Sequence, residues 1–249
     1  MSEKQEFSGR RAFVTGGSRG IGAAIAQRLL DGGATVVVTA RARNEATPPK
    51  ATLIEGDVRT NAGAKKIAAE AIGVLGGLDI LVNAAGATRV FLQGSASIPD
   101  EEWLDSLAIN FLSAVRVTNA ALPALKASKT PAIINISSDG TANPAAPMLH
   151  YVTAKAALNL YSAGLANELA PNKIRVNVVT PGSVVTPGGD EVRKVITEAM
   201  NLSAEQLASK VPLGRLGQPR DIAEMVAFLA SDRAEWITGQ NYIVNGGAS

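Results

Sequence analysis

The sequence predicts an α/β chain: a single-domain, doubly wound parallel sheet of about seven strands, Rossmann-like, with helices on both faces. Three observations predict it. Short apolar runs alternate with longer runs of helical periodicity along the chain. The run Ala34 to Thr39 is β-branched and almost wholly apolar, as a strand covered on both faces is. A glycine-rich turn with Gly16, Gly20 and Gly22 joins the first strand to the first helix.

Taken in order, residues 1–9 are polar and expected to be loose. Ala12 to Val14 reads as a buried strand, and Ile21, Ile25, Leu29 and Leu30 recur as the apolar face of a helix. Asp31-Gly32-Gly33 ends that helix, glycine supplying the positive φ of a C-cap. Asn44 to Lys50, with Pro48 and Pro49, is a loop. Thr52 to Glu55 is a third strand closing on Gly56-Asp57-Val58. Asn61 to Leu75 carries Ile67, Ala71 and Val74 at helical spacing, and Gly76-Gly77 stops it. Leu78 to Val82 is a fourth strand, ending at Asn83-Ala84-Ala85-Gly86. Asp100 to Lys126 reads as one long helix, with Pro99 and acidic residues at its positive end. Ala132 to Ser137, Ile174 to Val179 and Tyr242 to Val244 read as the remaining strands. His150 to Leu169 is an Ala-rich helix; Pro219 to Leu229 is another, with Ile222, Met225, Val226 and Leu229 on one face. No second domain or internal repeat is visible, so residues 1–249 are expected to form one domain. Residues 184–215 are expected to form a substrate lid, mobile from Val184 to Lys210, with Gly188-Gly189 as its hinge.

Composition narrows the chemistry. Zero cysteines exclude disulfides, and one histidine, His150, argues against a metal centre, so no metal is expected. The net charge of +2, with basic residues dispersed, indicates neither nucleic acid nor an anionic membrane as partner. No apolar stretch reaches membrane-spanning length and no secretory signal is visible, so the expected location is the cytoplasm.

In a doubly wound sheet, ligands sit at the carboxyl ends of the strands. The informative polar residues fall there: Thr15-Gly16, Asp57, Asn83, Ser138, and Pro181 to Thr186. Glycine lets backbone approach a pyrophosphate, and the free N–H groups at a helix start attract its charge. The spacing Gly16-x-x-x-Gly20-x-Gly22 is not G-x-G-x-x-G, and Ala23-Ala24 stand where a P-loop needs Lys and Ser or Thr. Tyr151 and Lys155 are four apart, on one helix face. A phenol near pKa ~10 is a poor acid at neutral pH, and a neighbouring ammonium lowers that value. A fall to ~7 corresponds to ~4 kcal/mol of differential stabilisation. So tuned, the phenol gives a proton to a ketone oxygen or takes one from an alcohol. Ser138, thirteen residues earlier at a strand end, is placed to hydrogen-bond the same carbonyl. Adjacent helix residues point about 100° apart, so His150 is expected to pack or line the pocket edge rather than act.

The glycine turn, Asn83-Ala-Ala-Gly86, Ser138, Tyr151-x-x-x-Lys155 and Pro181-Gly182, in this order, resemble the short-chain dehydrogenase/reductases in their single-domain, 3-oxoacyl-reductase-like form, from Arg11 to Gly247. The resemblance implies a catalytic set of Asn110, Ser138, Tyr151 and Lys155. Tyr151 would be the general acid/base. Lys155 would lower its pKa and bind the nicotinamide ribose hydroxyls. Ser138 would polarise the carbonyl, with Ser137 the adjacent alternative, and Asn110 would hold a water in a proton relay. Cofactor contacts would come from Gly16, Ser18, Arg19, Gly20, Ile21 and Gly22 around the phosphates. Asp57 and Val58 would meet the adenine, Asn83, Ala84 and Gly86 would line the central strand end, and Pro181, Gly182, Val184 and Thr186 the nicotinamide.

Cofactor choice turns on the end of the second strand. NAD wants a carboxylate there; Thr39-Ala40-Arg41 has none, and Arg41 with Arg19 suits a 2′-phosphate. NADP(H) is expected, with NAD(H) as the lesser alternative. Met148, Leu149, Val185, Met200 and Leu202 would form an apolar pocket for an uncharged ketone or β-keto acyl group. Asp139 departs from the small or apolar residue usual in the family and would either repel anions or start a turn. Lys126, Lys129 and Lys173 are read by default as solvated surface lysines, with basic residues at the entrance for an acyl carrier protein as the alternative. The motifs 212–219 and 242–247 resemble members acting as homotetramers. The reading is an NADP-dependent reductase or dehydrogenase; the alternatives are a non-catalytic dinucleotide-binding regulator and an NAD-dependent alcohol dehydrogenase.

Overall fold

The computed structural model describes residues 5–248. Seven parallel strands form one sheet: β1 (Arg11–Thr15), β2 (Thr35–Ala40), β3 (Thr52–Glu55), β4 (Ile80–Asn83), β5 (Ala132–Ile136), β6 (Arg175–Pro181) and β7 (Asn241–Val244). Their spatial order is β3-β2-β1-β4-β5-β6-β7. The helices are α1 (Gly20–Asp31), α2 (Asn61–Leu75), α3 (Asp100–Leu107), α4 (Ser113–Lys126), α5 (Leu149–Leu169), α6 (Pro187–Met200), α7 (Ala204–Ala208) and α8 (Pro219–Ala230). The chain reverses its direction of travel across the sheet between β1 and β4. Crossovers therefore leave in opposite directions there and open a crevice at the carboxyl ends.

Strand alternation divides the core into two layers. Ala12 and Val14 face α1 and α8, packing with Ile25, Leu29, Val226 and Leu229. Phe13 points the other way, with Leu81 and Ile133, toward Ile67 of α2, Val117 of α4 and Leu165 of α5. Two covered faces explain why these strands carry few polar side chains before their last residue.

Near the ends of the three central strands, Thr15, Asn83 and Asn135 are polar and tied together. Thr15 pairs in register with Asn83, and Asn83 with Asn135. Asn83 Nδ2 donates to Asn135 Oδ1 at 2.8 Å and to Thr118 Oγ1 at 3.1 Å. Asn135 Nδ2 donates to Ser162 Oγ at 2.8 Å, linking the sheet to α5. Thr15 Oγ1 accepts from the Ala84 and Ala85 N–H groups, each at 3.1 Å. Buried polar groups must be paired, and this pairing holds the strand ends and α5 in fixed relation.

Three expectations are corrected. Residues 5–9 are not loose: Phe7 is 0% exposed, its N–H donates to Gly32 O at 2.7 Å, and Glu6 pairs with Arg28 and Arg233 at 2.8 and 2.6 Å. Residues 1–4 lie outside the described residues. The helical run from Asp100 to Lys126 is broken by a wider, π-type turn at Ala108–Leu112, which contains the buried Asn110. Gly188 and Gly189 are not a free joint. They form the first turn of α6, where Thr186 Oγ1 accepts from Gly189 N–H at 3.0 Å. The segment before it is anchored by Val185 N–H donating to Gly217 O at 2.8 Å. Among the described residues no helix is long and apolar enough to cross a membrane.

Candidate active site

The carboxyl ends of β1, β2, β4, β5 and β6 open onto one cleft of about 1070 Å³. Gly16, Ser18, Arg19, Gly20, Ile21, Gly22, Arg41, Asp57, Val58, Ala84, Gly86, Ser138, Tyr151, Lys155, Pro181, Gly182, Val184 and Thr186 all line it. Asn83 and Asn110 do not; both are buried just behind its wall.

At one end the glycine turn forms a cradle. Gly16 and Gly20 have φ of 67° and 56°, where a side chain is strained. A Cβ at Gly16 would lie 2.8 Å from Ala85 Cα, and one at Gly22 would overlap the Gly16 carbonyl oxygen. One at Gly20 would meet Thr186 Cβ at 3.3 Å, so the turn closes against the start of the 184–215 segment. Arg19 precedes α1 without a side-chain cap, and no acidic residue stands in the first turn. The first N–H groups of α1 are thus unsatisfied by the chain and lie on the cleft wall, as a phosphate-bearing cofactor requires. Arg19, Arg41 and Arg43 line the same end, and among the described residues none makes an ion pair. Asp57 accepts from Arg59 N–H at 2.8 Å and pairs with Arg59 Nη1 at 3.1 Å. Arg59 Nε in turn donates to Asp105 at 2.8 Å. Arg43 and Arg59 escaped the sequence reading. Arg43 lies two residues beyond Arg41, and Arg59 two beyond Asp57, so reading outward from each strand end would have found them.

At the other end Ser138, Tyr151 and Lys155 converge. Lys155 is 4% exposed, and its Nζ donates to Ile136 O at 2.8 Å. Burial brings the ammonium down to about 8. Burial also pushes the Tyr151 phenol up; hydrogen bonding with Ser138 opposes this, and the Asp139 charge adds to it. Without cofactor the phenol therefore keeps its proton at neutral pH. Ser138 Oγ accepts from Gly140 N–H at 3.3 Å, capping the short turn Asp139–Thr141. Ser137 Oγ is buried without a partner, one residue deeper along the strand.

Asn110 is committed to protein groups. Its Oδ1 accepts from Ala87 N–H at 3.1 Å, and its Nδ2 donates to Ala87 O at 2.8 Å and Ser106 Oγ at 3.2 Å. Ser106 Oγ donates to His150 O at 3.0 Å, so Asn110 braces the 84–87 segment against the start of α5. His150 is 0% exposed and packs edge-on against Phe91 and Trp103, with ring centroids 5.4 and 6.3 Å away. Burial lowers its pKa, Glu102 opposing, and keeps it neutral.

The apolar wall differs from expectation. Of the five residues named, only Met148 lines the cleft; Leu149, Val185, Met200 and Leu202 do not. Val192 and Ile196 of α6 and Leu207 of α7 take their place. Val192 and Ile196 are four apart, and helical spacing from the Pro187 start would have selected them. Lys126, Lys129 and Lys173 are also absent from the cleft. They precede β5 and β6, and so lie at the amino edge of the sheet, away from the site. Arg89 and Arg193 line the mouth instead, Arg89 paired with Glu102 at 2.7 Å and Arg193 with Asp190.

Comparison with known proteins agrees with this geometry. Residues 16–249 match the family model described as enoyl-(acyl carrier protein) reductase. The chain is 39% identical to an uncharacterized oxidoreductase of Methylorubrum extorquens, over 97% of this chain and 98% of that one. It is 39% identical, over the same shares of the two chains, to the 3-oxoacyl-(acyl-carrier-protein) reductases FabG of Haemophilus influenzae and of Escherichia coli. The ligand-free structure of Thermoplasma acidophilum aldohexose dehydrogenase superimposes with a TM-score of 0.88 at 30% identity, covering 98% of this chain and 95% of that one. With a seven-stranded parallel sheet, a glycine cradle and Tyr151 one helical turn from Lys155 in the same cleft, the chain belongs to the short-chain dehydrogenase/reductase family.

Proposed function

We propose that this chain is an NADP(H)-dependent oxidoreductase acting between a carbonyl compound and its alcohol, on an uncharged ketone or a β-keto acyl substrate. One observation carries the reading: the Tyr151 phenol and the Lys155 ammonium share a cleft wall with Ser138 and open onto the same space as the glycine cradle. When bound, the reduced nicotinamide supplies a hydride to the carbonyl carbon. Tyr151 Oη gives its proton to the carbonyl oxygen as the C=O bond becomes C–O–H. The Lys155 ammonium stabilises the phenolate left behind and would hold the ribose hydroxyls of the cofactor. Ser138 Oγ donates to the carbonyl oxygen and fixes the substrate's position. Asn110 acts as a positioning residue through Ala87 and Ser106, its backbone lying in the π-type turn that would seat a relay water.

The cradle formed by Gly16, Ser18, Gly20, Ile21 and Gly22 would hold the pyrophosphate, Asp57 and Val58 the adenine, and Ala84, Gly86, Pro181, Gly182, Val184 and Thr186 the nicotinamide half. Asn83 steadies the strand end from behind. The single domain, with the helical 184–215 segment covering the substrate end, would act in the cytoplasm. Leu160 on α5 and Trp236, exposed by 78% and 97%, support burial against other copies in a homotetramer. Similarity to 3-oxoacyl reductases supports the β-keto acyl arm. Similarity to an aldohexose dehydrogenase supports the alcohol arm.

The direct test is NADPH oxidation with a panel of ketones and β-keto thioesters; no turnover across the panel would reject the reading. The 2′-phosphate site has its own test. Arg41→Ala is expected to lower kcat/KM for NADPH by about 10- to 100-fold, the range of a lost charged hydrogen bond, while NADH is unaffected. Wild-type preference for NADH would reassign the cofactor.

A further inference from the structure

We infer that Asp139 makes this pocket select carbonyl compounds bearing a hydrogen-bond donor, a hydroxyl or an ammonium, beside the reacting carbon, and disfavour those bearing a carboxylate there. The inference rests on the reductase reading above and extends its substrate class from uncharged ketones to those with a cationic group beside the carbonyl.

Asp139 follows Ser138 directly and begins the one-turn helix Asp139–Thr141 at the end of β5. Its carboxylate is half-buried on the cleft wall, among Ser138, Met148, Tyr151 and Gly182. A Cβ at Gly182 would lie 3.0 Å from Asp139 Oδ2, so the carboxylate rests against the end of β6. The neighbouring cations are engaged elsewhere. Lys155 Nζ donates to Ile136 O, Arg193 is held by Asp190 and Val184 O, and Arg89 by Glu102. Among the described residues Asp139 makes no ion pair and accepts from no side chain.

A carboxylate has about four lone-pair sites, and burial without donors is unfavourable. Burial pushes its pKa above the usual carboxylate value, and the N–H groups of its own turn offset this only in part. The carboxylate lines the cleft, so a ligand bound there can supply that donor. On the proposed reaction Ser138 and Tyr151 fix where the carbonyl oxygen docks, and Asp139 shares their stretch of cleft wall, close enough for its charge to act on the Tyr151 phenol. A donor close to the carbonyl carbon therefore reaches Asp139, whereas an anion there meets like charge beside Met148.

The test compares kcat/KM with NADPH for hydroxyacetone, aminoacetone, butanone and pyruvate, in wild type, Asp139→Asn and Asp139→Ser. Butanone serves as the reference within each protein. Wild type is expected to favour aminoacetone and hydroxyacetone over butanone by about 10-fold or more, with pyruvate last. Asp139→Asn, which keeps the shape, is expected to lower the aminoacetone-to-butanone ratio by about 10- to 100-fold and to raise pyruvate relative to butanone. Asp139→Ser gives the same direction if the asparagine variant does not fold. Melting temperatures of the NADP+-loaded enzyme with each compound provide a readout free of turnover. Ratios that do not move on substitution overturn the proposal. So does a loss confined to NADP+ affinity, which would assign the charge to the oxidised ring. Absence of turnover with all four compounds tells against the reductase reading; a melting-temperature gain specific to aminoacetone and lost in Asp139→Asn would still support the selectivity, and equal shifts would overturn it.

Discussion

Tyr151→Phe is expected to lower kcat by about 1000-fold, within the range of a lost general acid, while NADPH affinity stays within a few-fold. The substitution removes one oxygen and leaves the ring, so the cleft wall and α5 are undisturbed. The hydroxyl matters because the alkoxide formed by hydride addition must take a proton as it forms. Lys155, brought down to about 8, is still about nine-tenths charged at pH 7, and in the proposed mechanism that charge would stabilise the phenolate against the upward push of burial on the phenol. A 1000-fold loss corresponds to about 4 kcal/mol of transition-state stabilisation, which is more than Ser138 or water recovers. Carbonyl reduction should also fall above about pH 8, as the Lys155 ammonium loses its proton. Steady-state kinetics and cofactor titration by fluorescence check both parts. A variant retaining most of its turnover would remove Tyr151 from the chemistry.

The strand ends and the Tyr151–Lys155 pair were legible because both rest on local periods, two residues for a strand and 3.6 for a helix. The glycine cradle was legible because only glycine tolerates the approach of Ala85 to Gly16. What escaped depends on distant contacts. Phe7 sits in a polar stretch, and its burial comes from the surroundings of Gly32 and Arg28, far along the chain. Met200 continues the Val192–Ile196 stripe at the last residue of α6 and Leu202 lies beyond the helix, so it is where α6 ends relative to the cleft that leaves both outside it. The π-type turn at Asn110 has no signature of spacing, since it arises from a buried carboxamide bonding Ala87 across a loop. Lys129 and Lys173 are solvated surface lysines for a simpler reason: each precedes a parallel strand, at the edge of the sheet away from the cleft.

Lys155→Met is expected to abolish turnover and, in the cofactor-free protein, to raise stability. The same burial that tunes the ammonium makes it unfavourable in the folded chain. Its fall from 10.5 to about 8 corresponds to about 3 kcal/mol of destabilisation at pH 7. Methionine matches the stem and has no charge to desolvate. The lost hydrogen bond to Ile136 O removes about 1 kcal/mol of the gain, leaving roughly 2 kcal/mol. The pH dependence gives the sign. Below pH 8 both folded and unfolded states carry the proton, so the full penalty is present and this group adds no slope. Between about 8 and 10.5 the unfolded chain binds the proton and the folded chain does not, so wild-type stability rises with pH through this window. Lys155→Met lacks that rise, and its advantage over wild type should shrink and vanish as pH climbs through the window. Urea unfolding of both proteins at pH 7, 9 and 10.5 checks this. A difference independent of pH would mean that Lys155 is not the group whose charge the fold opposes. Saturating NADPH should narrow the gap at pH 7, because the ribose hydroxyls would give the ammonium partners beyond the single carbonyl it has in the free chain.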